Sequence, residues 1–519
     1  MATKQERAEL HKTIWKIAND LRGAIDGWNF KAYVLGSIFY RYISENICDY
    51  IQRLMEEAGQ PNFDYAAISD QEAEKIRKKM VQEKGYFILP SQLFQNVAEK
   101  AENDENLNEH LSKIFRSIEG SAKGTPSEED LRGLFSDFAV DNAELGGTVI
   151  KRNQLLAKVL KTVAAMDLGS KYDNTENDTI GDTYEFLMGM YASQAGKSGG
   201  EYFTPQQVSE LLARLASWNN KNIQKVYDPA CGSGSLLLKF KKILGKDNPN
   251  LKYYGQEVNP TTYNLCRINM FLHNVNFDNF DIALEDTLLK PQHMDEAPFD
   301  AIVSNPPYSL EWVGKDNPLL INDERYAPAG VLAPKSAADW AFAMHMLWHL
   351  GEQGTAAIVE FPGILYRGGA EKKIRQYMLK NNFMDAVIQL PPNLFYGPSI
   401  STCIIVLKKS AKVDSSVLFI DASKLFVKNG NKNLLLPEHL DKIMKLYADR
   451  KNEQYLAKLV KNDDILANDA NLSVSSYVEQ EDTRELIDIK AVNASLIQLI
   501  AEGKNLNNKI DVIIKEMED

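Results

Sequence analysis

A series of short apolar runs that alternate with helical stretches constrains the middle of this chain most strongly. The runs are Lys225–Pro229, Leu251–Val258, Phe280–Leu284, Phe299–Ser304, Thr355–Phe361 and Met384–Leu390. Such alternation is typical of β-α-β units, in which parallel strands form one sheet with helices on its faces. Two β-branched runs joined by a short polar loop, Ser401–Leu407 and Ser416–Ile420, predict an antiparallel hairpin at one edge of that sheet.

Both ends of the chain differ from this middle part, and both are predicted to be helical. Near the N-terminus apolar residues recur every three or four positions, which places them on one helix face: Leu10, Ile14, Ile17, Leu21 and Ile25. From Ile489 to Met517 apolar residues again step by three and four, and only Gly503 interrupts a seam about four heptads long. This stripe fits a partner helix, either in its own domain or, as its place at the end of the sequence favours, in another chain.

These contrasts divide the sequence into three predicted parts: a helical interaction domain over 1–150, a sheet-containing domain over 151–475 and a C-terminal assembly helix over 476–519. A chain of 519 residues is long enough for two or three hydrophobic cores. No run of about eighteen apolar residues occurs, the charged start lacks the apolar part of a secretory signal, and the four cysteines form no CxxC pair. We therefore expect a cytoplasmic protein without a membrane helix, a disulfide scaffold or a cysteine-rich zinc site.

The charge balance limits how this protein can bind nucleic acid. Lys and Arg number 59 against 71 Asp and Glu, a formal net charge of −12. Proteins that bind DNA tightly on their own are usually basic, because neutralising phosphates supplies much of the affinity. The balance argues against tight autonomous DNA binding, but it allows DNA held in a local basic groove or through a partner subunit.

The residues between the first strand and the next helix predict a loop that approaches a nucleotide-like cofactor. The strand ends at Asp228, and Gly232 and Gly234 then allow the backbone to turn tightly beside a ligand. The third glycine of the dinucleotide-binding pattern is absent, so the loop alone is weak evidence. Its position between a strand and a helix strengthens the prediction.

Acidic residues after the next two strands support the same prediction. Glu257 ends the second strand, 23 residues after Gly234, where a carboxylate can accept hydrogen bonds from ribose hydroxyls. Asp286 follows the third strand. Its carboxylate can accept from an exocyclic amine such as that of adenine, or it can cap the turn before Leu288 and Leu289.

The most informative motif is Asn305-Pro306-Pro307-Tyr308, directly after the strand Phe299–Ser304. The two prolines fix the backbone and remove two N–H donors. The Asn305 side-chain oxygen and the Pro306 carbonyl remain as acceptors, and together they can accept both hydrogens of an exocyclic NH₂ group. Tyr308 adds an aromatic face, so the motif predicts a site for an amino-substituted planar ring.

A glycine- and aromatic-rich segment precedes the first strand. Gly199-Gly-Glu-Tyr-Phe-Thr-Pro205 combines backbone freedom with aromatic side chains. These properties suit a lid over a ligand.

In combination, these motifs resemble those of S-adenosylmethionine-dependent methyltransferases that act on the amino group of adenine in DNA. More closely, the chain resembles the modification subunit of type I restriction–modification systems. The features that carry the resemblance are FTP at 203–205, DPACGSGS at 228–235, acids at 257 and 286, NPPY at 305–308 and the C-terminal helix. Their order resembles the gamma arrangement of that superfamily.

The resemblance implies a fold and an activity. The fold is a mostly parallel, Rossmann-like class I methyltransferase sheet with an antiparallel edge hairpin, a helical N-terminal domain and a C-terminal heptad helix. The activity is transfer of a methyl group from S-adenosyl-L-methionine to N6 of adenine. The implied partners are DNA with a flipped adenine, a separate specificity subunit bound by two modification subunits, and a restriction subunit in the full complex.

The same resemblance assigns the cofactor site. Residues 201–206 and 233–235 would line the methionine end, Asp228 would lie near its amino group, Glu257 would hold the ribose and Asp286 would face the adenine ring. The implied cofactor-binding residues are Glu201, Tyr202, Phe203, Thr204, Pro205, Gln206, Asp228, Gly232, Ser233, Gly234, Ser235, Glu257 and Asp286.

For the target base, the resemblance implies that the motif Asn305-Pro306-Pro307-Tyr308 holds the adenine, with Asn305 and Pro306 accepting from its amino group. Tyr308 would stack on one face of the ring and Phe395 on the other, with neighbouring Tyr396 as a rival. We assign no histidine base, because the proton can leave to solvent, and no metal.

Three alternatives to this interpretation remain open from the residues alone. One is a methyltransferase for another substrate, such as a glutamine amide or an RNA base, or a stand-alone enzyme that recognises DNA itself. A second is a nicotinamide-dependent oxidoreductase, in which the Asn-Pro-Pro-Tyr motif would have no role. A third is a non-catalytic assembly subunit, against which the intact motifs argue.

Overall fold

The computed structural model describes residues 29–166, 184–185, 187–189, 204–245, 248–395, 401–410, 412, 414–430, 432–481 and 488–518. The chain forms two compact units, Met1–Val478 and Glu479–Asp519. None of the described helices has the length and apolar character that crossing a membrane requires. The predicted helix face from Leu10 to Ile25 lies outside the described residues.

The N-terminal part is helical, as predicted. Leu107–Ser121 illustrates why, because its buried side chains Leu107, Leu111, Ile114 and Ile118 recur every three or four residues. The described α-helices of this part are Asn29–Glu57, Asp70–Ala73, Arg77–Lys84, Phe94–Lys100, Leu107–Ser121, Glu128–Leu131 and Val149–Ala164. The last of these runs across the predicted boundary at residue 150 and packs against the first, so that boundary stays a prediction.

The N-terminal helices pack directly on the helix Pro260–Leu272 of the sheet-containing part. Phe39 and Phe271 place their ring centroids 6.2 Å apart. Arg267 is 1% exposed, and its guanidinium donates to the carbonyls of Glu129, Asp130 and Arg132 at 2.8, 3.2 and 3.0 Å. One buried cation therefore connects two parts of the hydrophobic core.

The central sheet is mostly parallel, as predicted. The described strands are β1 Lys225–Asp228, β2 Lys252–Glu257, β3 Phe280–Leu284, β4 Phe299–Ser304, β5 Leu350–Glu360, β6 Met384–Gln389, β7 Cys403–Lys408, β8 Ser416–Asp421, β9 Val427–Asn429, β10 Lys432–Leu434 and β11 Ala457–Lys461. Nine of them form one sheet in the order β11-β8-β6-β7-β5-β4-β1-β2-β3, while β9 and β10 pair with each other. The described α-helices of this part are Gln206–Ser217 before β1 and, between and after the strands, Ser235–Leu244, Pro260–Leu272, Asp339–His349, Gly369–Lys380, Pro437–Asp449 and Asn462–Ala467.

The predicted hairpin between Ser401–Leu407 and Ser416–Ile420 is wrong. These runs form β7 and β8, but β6 lies between them, antiparallel to β7 and parallel to β8. The connection is longer than a tight turn and passes over Asn382, which donates a hydrogen bond to the Asp414 carbonyl at 3.0 Å. The antiparallel pair at the edge of the sheet is instead β8 with β11.

Strand order places the ends of β1 and β4 together. β1 pairs in parallel with β2 on one side and with β4 on the other, with Val226 opposite Ala301 and Tyr227 opposite Ile302. β2 and β3 therefore lie on one side of β1, and β4 and β5 lie on the other, so the order in which strands are added to the sheet reverses at β1. In open α/β sheets, ligands bind at such a reversal, beyond the carboxyl ends of the strands.

The second unit contains the predicted C-terminal heptad helix, observed as Ile489–Glu518. None of its described residues is buried. The apolar stripe is therefore exposed along its whole length: Ile489, Val492, Leu496, Leu499, Leu506, Ile510, Ile513 and Met517.

We expect Arg267→Met to destabilise the first unit by about 2–4 kcal/mol, because three backbone carbonyls lose the donor that the buried guanidinium supplies. Urea unfolding followed by fluorescence measures the change. Arg132→Met is the matched control, because the Arg132 side chain is exposed and its ion pairs, with Glu128 and Glu129, are exposed as well. Equal unfolding midpoints for the two variants would contradict the role of Arg267.

Candidate active site

Asp228 forms the centre of the site at the end of β1. Its Oδ1 accepts hydrogen bonds from the Ala230 N–H and from the Ser304 hydroxyl, both at 3.0 Å. Ser304 is the last residue of β4, so this bond connects the ends of two neighbouring strands. Asp228 Oδ2 is buried and has no partner among the described residues. Burial raises the pKa of Asp228 to about 7, although the hydrogen bonds from Ala230 and Ser304 oppose the rise.

The loop after β1 has the backbone that the glycines predict. Gly232 and Gly234 have φ values of 54° and 76°. A Cβ on Gly234 would lie 2.8 Å from Cys266 Sγ, whereas one on Gly232 would meet nothing within 4 Å. Gly234 therefore allows close packing on the helix behind it, while Gly232 faces open space. The helix Ser235–Leu244 begins directly after Gly234.

Glu257, at the end of β2, closes over this loop. Its Oε2 accepts from the Gly232 N–H at 3.1 Å, and Oε1 accepts from the Val258 and Asn259 N–H groups at 2.9 and 2.8 Å. Burial raises the pKa of Glu257, and these three donors oppose the rise. A carboxylate has about four acceptor positions, so Glu257 retains capacity for a hydroxyl donor.

Asp286 performs the turn-capping role that the sequence left open. Its Oδ1 accepts from the N–H groups of Leu288 and Leu289 at 2.9 and 3.2 Å. The next side chain, Thr287, donates from its hydroxyl to the Pro229 carbonyl at 2.6 Å. The Asp286 turn is thereby attached to the glycine loop, while a contact of Asp286 with a purine stays a prediction.

The Asn-Pro-Pro-Tyr motif follows β4 immediately and faces the segment around residue 204. Asn305 Nδ2 donates to the Thr204 hydroxyl oxygen at 2.9 Å, and Asn305 Oδ1 accepts from the Tyr308 hydroxyl at 2.6 Å. Burial raises the pKa of Tyr308 well above its ordinary value, so the hydroxyl remains a donor. The oxygen predicted to accept from an amino group thus already has one donor in the ligand-free chain.

Tyr308 and Phe395 are brought together, but not as two parallel faces. Their ring centroids are 6.5 Å apart with an interplanar angle of 78°, an edge-to-face arrangement. Phe395 is also buried, at 6% exposure. A planar base cannot lie between the rings in this arrangement, so stacking on both faces would require one ring to turn. Tyr396, the rival to Phe395, lies outside the described residues.

The predicted lid is described only in part. Glu201, Tyr202 and Phe203 lie outside the described residues, whereas Thr204 is buried and Pro205 precedes the helix Gln206–Ser217.

Gln206, the first residue of that helix, has both amide atoms buried without a partner among the described residues. A cavity of about 210 Å³ lies beside it, lined also by Leu394 and Lys432. Unsatisfied buried amides are rare in folded proteins; the predicted role of Gln206 in binding the cofactor stays a prediction.

Sequence reasoning missed two residues around the site. Thr287 attaches the Asp286 turn to the glycine loop by a single hydroxyl bond, and nothing in its local sequence distinguishes it from other threonines. Arg325 is 1% exposed and contacts the Asp286 turn from behind. The sequence did not indicate this, because buried and exposed arginines have similar neighbours in a sequence.

The described residues also bring together one histidine and two carboxylates away from this site, at Asp281, His293 and Glu296. His293 Nδ1 lies 3.9 Å from Asp281 Oδ2 and 4.0 Å from Glu296 Oε2. The Asp281 side chain is 58% exposed, and exposed carboxylates commonly cluster without a bound ion. We therefore assign no metal to this cluster.

Comparison with known proteins identifies the family. A model of the N-6 DNA methylase family matches residues 175–486, and a model of the HsdM N-terminal domain matches residues 10–163. The chain belongs to the N-6 DNA methylase family. The first match contains the glycine loop, both acids and the Asn-Pro-Pro-Tyr motif.

Individual relatives of this N-6 DNA methylase agree. The type I restriction enzyme MpnII methylase subunit of Mycoplasma pneumoniae is 45% identical over 528 residues, covering 99% of this chain and 97% of the relative. The MjaVIII methylase subunit of Methanocaldococcus jannaschii is 33% identical, covering 77% and 68%. The crystal structure of a type I methyltransferase subunit from Streptococcus thermophilus matches with a TM-score of 0.82 and 34% identity, covering 91% and 100%.

The chain is thus a methylase subunit of the type I restriction–modification class. The predicted activity, methylation of DNA at N6 of adenine, is confirmed by the family and these relatives. The class I methyltransferase fold with a helical N-terminal domain is confirmed as well. The oxidoreductase and assembly-only alternatives have no support in these matches.

We expect Asp228→Asn to raise the melting temperature of the ligand-free protein at pH 8 relative to wild type. Burial favours the protonated form of Asp228 and raises its pKa to about 7. The protein is therefore most stable below the unfolded pKa, where Asp228 is protonated in both states, and it loses this stability as pH rises through about 7. The amide stays neutral, so the difference in melting temperature between variant and wild type should grow from pH 5 to about pH 7 and level off above it. A constant difference across that range would contradict the uncompensated burial of Asp228.

Proposed function

We propose that this subunit uses S-adenosyl-L-methionine to methylate an adenine flipped out of DNA, within a complex whose specificity subunit selects the sequence. The observation that carries the proposal is the bond between Asp228 and Ser304. It connects the Asp228 carboxylate at the end of β1 to Ser304, the residue that directly precedes Asn305. The proposed sites for the methyl donor and for the target adenine therefore adjoin at the neighbouring ends of β1 and β4.

The chemistry of these residues fits the methyl donor. Within the described part of the chain, Asp228 Oδ2 is a buried acceptor without a partner, suited to an ammonium group, and the Gln206 amide atoms have no partner either. Glu257 would accept from the ribose hydroxyls, and Asp286 would face the purine. S-adenosyl-L-methionine supplies a sulfonium methyl group that is already activated for transfer. The protein's contribution is to hold and orient, which removes translational and rotational freedom.

On the target side, Asn305 Oδ1 and the Pro306 carbonyl would accept the two hydrogens of the adenine amino group. Acceptors on both hydrogens favour a pyramidal nitrogen with an available lone pair, and they stabilise the positive charge that develops there. The proton leaves to solvent afterwards. Burial lowers the pKa of both His345 and His349, so neither is charged at neutral pH, and neither lies in a site loop.

The adenine must leave the duplex to reach these acceptors, at a cost of a few kcal/mol. Stacking on Tyr308 would offset part of this, since base–aromatic stacking contributes about 1–3 kcal/mol. Because Phe395 lies edge-on to Tyr308, its contact with the base would follow a rotation of one ring.

Partner binding belongs to the same proposal. The exposed apolar stripe of Ile489–Glu518 would pack against helices of the specificity subunit, since such a seam is stable only when covered. A net charge of −12 agrees with DNA recognition by another subunit. Two modification subunits per specificity subunit, a restriction subunit in the full complex and a cytoplasmic location complete the proposal.

We expect Asn305→Ala to lower kcat for methyl transfer by at least about a hundredfold, because the nitrogen loses one of its two acceptors. The affinity for S-adenosyl-L-methionine should change little. Labelled methyl transfer to DNA, followed by nucleoside analysis for N6-methyladenine, measures the first quantity, and calorimetry measures the second. Tyr308→Phe is the matched control, since it removes the hydroxyl bond to Asn305 but keeps an aromatic ring. Parallel loss of donor binding in Asn305→Ala would contradict the assigned role.

We expect truncation before Ile489, or the paired change Leu499→Glu with Leu506→Glu, to abolish co-purification with the specificity subunit. Charges in the apolar seam cannot be buried without a partner. Gln498→Glu with Asn505→Glu is the matched control, because it adds the same charge outside the seam. Normal co-purification of the seam variant would remove the interface, and equal loss in both pairs would indicate a charge effect alone.

A further inference from the structure

The segment that follows the Asn-Pro-Pro-Tyr motif reaches back to the Asp286 turn through one buried arginine. The Arg325 guanidinium donates to the Thr287 carbonyl at 2.9 Å and to the Leu288 carbonyl at 2.8 Å. The Tyr326 hydroxyl donates to the same Leu288 carbonyl at 3.1 Å. The two residues that directly follow Asp286 are therefore held from the opposite side of the site.

Arg325 itself is fixed by residues on two further elements. Asp323 accepts two hydrogen bonds, from Nε at 2.9 Å and from the guanidinium NH₂ at 2.7 Å. His345 Nδ1 lies 3.0 Å from the guanidinium and must accept, because arginine only donates. Neutral His345 then donates from Nε2 to the Tyr227 oxygen, also at 3.0 Å. Tyr227 directly precedes Asp228, so the network connects the Asp286 turn to the end of β1, where the glycine loop begins.

The position of Thr287 gives this network a consequence for the site. Its carbonyl accepts from Arg325, while its hydroxyl donates to the Pro229 carbonyl in the glycine loop. A shift of Thr287 would therefore move the acid that faces the purine and the start of the glycine loop together. The contact is fully buried, since Arg325 is 1% exposed, so water cannot replace a lost bond easily.

We propose that Arg325 is a positioning residue for the methyl donor, which fixes the Asp286 turn from the segment that continues out of the target site. This inference rests on the proposed function, in which the adenosine part of S-adenosyl-L-methionine lies against Asp286. Arg325 contacts neither the donor nor the target base. Its loss should weaken donor binding, while the chemistry of a correctly bound donor continues.

The test compares Arg325→Met and Arg325→Lys with Arg375→Met. Arg375 is the matched control, because it is equally buried and its guanidinium also donates to carbonyls, those of Ala470, Ile364 and Arg367. None of these residues belongs to the predicted site. Calorimetry with S-adenosyl-L-methionine gives Kd, thermal unfolding gives Tm, and methyl transfer by the complex with its specificity subunit and cognate DNA gives KM and kcat.

We expect Arg325→Met to raise the donor Kd and KM about tenfold or more, with kcat at saturating donor within about twofold of wild type. In Arg325→Lys the donor Kd and KM should rise less, because an ammonium group can still donate to one carbonyl. Arg375→Met should lower Tm without changing the donor Kd. Tyr326→Phe removes only the hydroxyl bond to Leu288 and should raise Kd slightly, which keeps a test available should Arg325→Met not fold.

Equal donor Kd values for the Arg325 variants and Arg375→Met would overturn the positioning role and indicate a purely structural arginine. A fall in kcat at unchanged KM would overturn it as well. Failure of the wild-type protein to bind S-adenosyl-L-methionine would contradict the proposed function, and this inference with it.

Discussion

The hydrogen bond from the Ser304 hydroxyl to Asp228 is the interaction on which the rest of the site depends. β1 and β4 are parallel neighbours, so their following loops leave the sheet at the same edge. The bond fixes the relative position of those loops, one of which carries the glycines and the other Asn305. It also leaves one oxygen of a buried carboxylate unpaired, and the raised pKa of Asp228 reflects this unfavourable environment. A cationic ligand would relieve it.

Much of the site could be predicted from sequence because its residues occupy the ends of strands. Parallel strands end at one edge, so Asp228, Glu257 and Asn305 converge once the alternation of strands and helices is recognised. The backbone need for glycine at 232 and 234 is local as well, and both residues have positive φ. The local sequence after each strand was therefore enough to predict these acids, glycines and the asparagine as site residues.

The parts that sequence could not provide depend on contacts between distant segments. The β-branched runs correctly predicted that β7 and β8 are strands. They could not predict that β6 lies between them, because the neighbours of a strand depend on contacts across the whole sheet. The edge-to-face arrangement of Tyr308 and Phe395 depends on packing of the loop after β6. Arg325 belongs to the same class, since its partners lie 37 and 38 positions away in sequence.

The bond between Tyr308 and Asn305 gives the acceptor oxygen of Asn305 a hydrogen-bond donor before the target base binds. Asn305 is half-buried, so an amide oxygen without a donor there would destabilise the free protein by less than the roughly 1–3 kcal/mol of a fully buried group. The Tyr308 hydroxyl satisfies it, at 2.6 Å. When an amino group enters, it can share the oxygen, which has two lone pairs, or displace the hydroxyl, which then turns with its ring. Sharing adds a second donor and displacement replaces the first one, so the Asn305 oxygen is not left without a donor when the target binds.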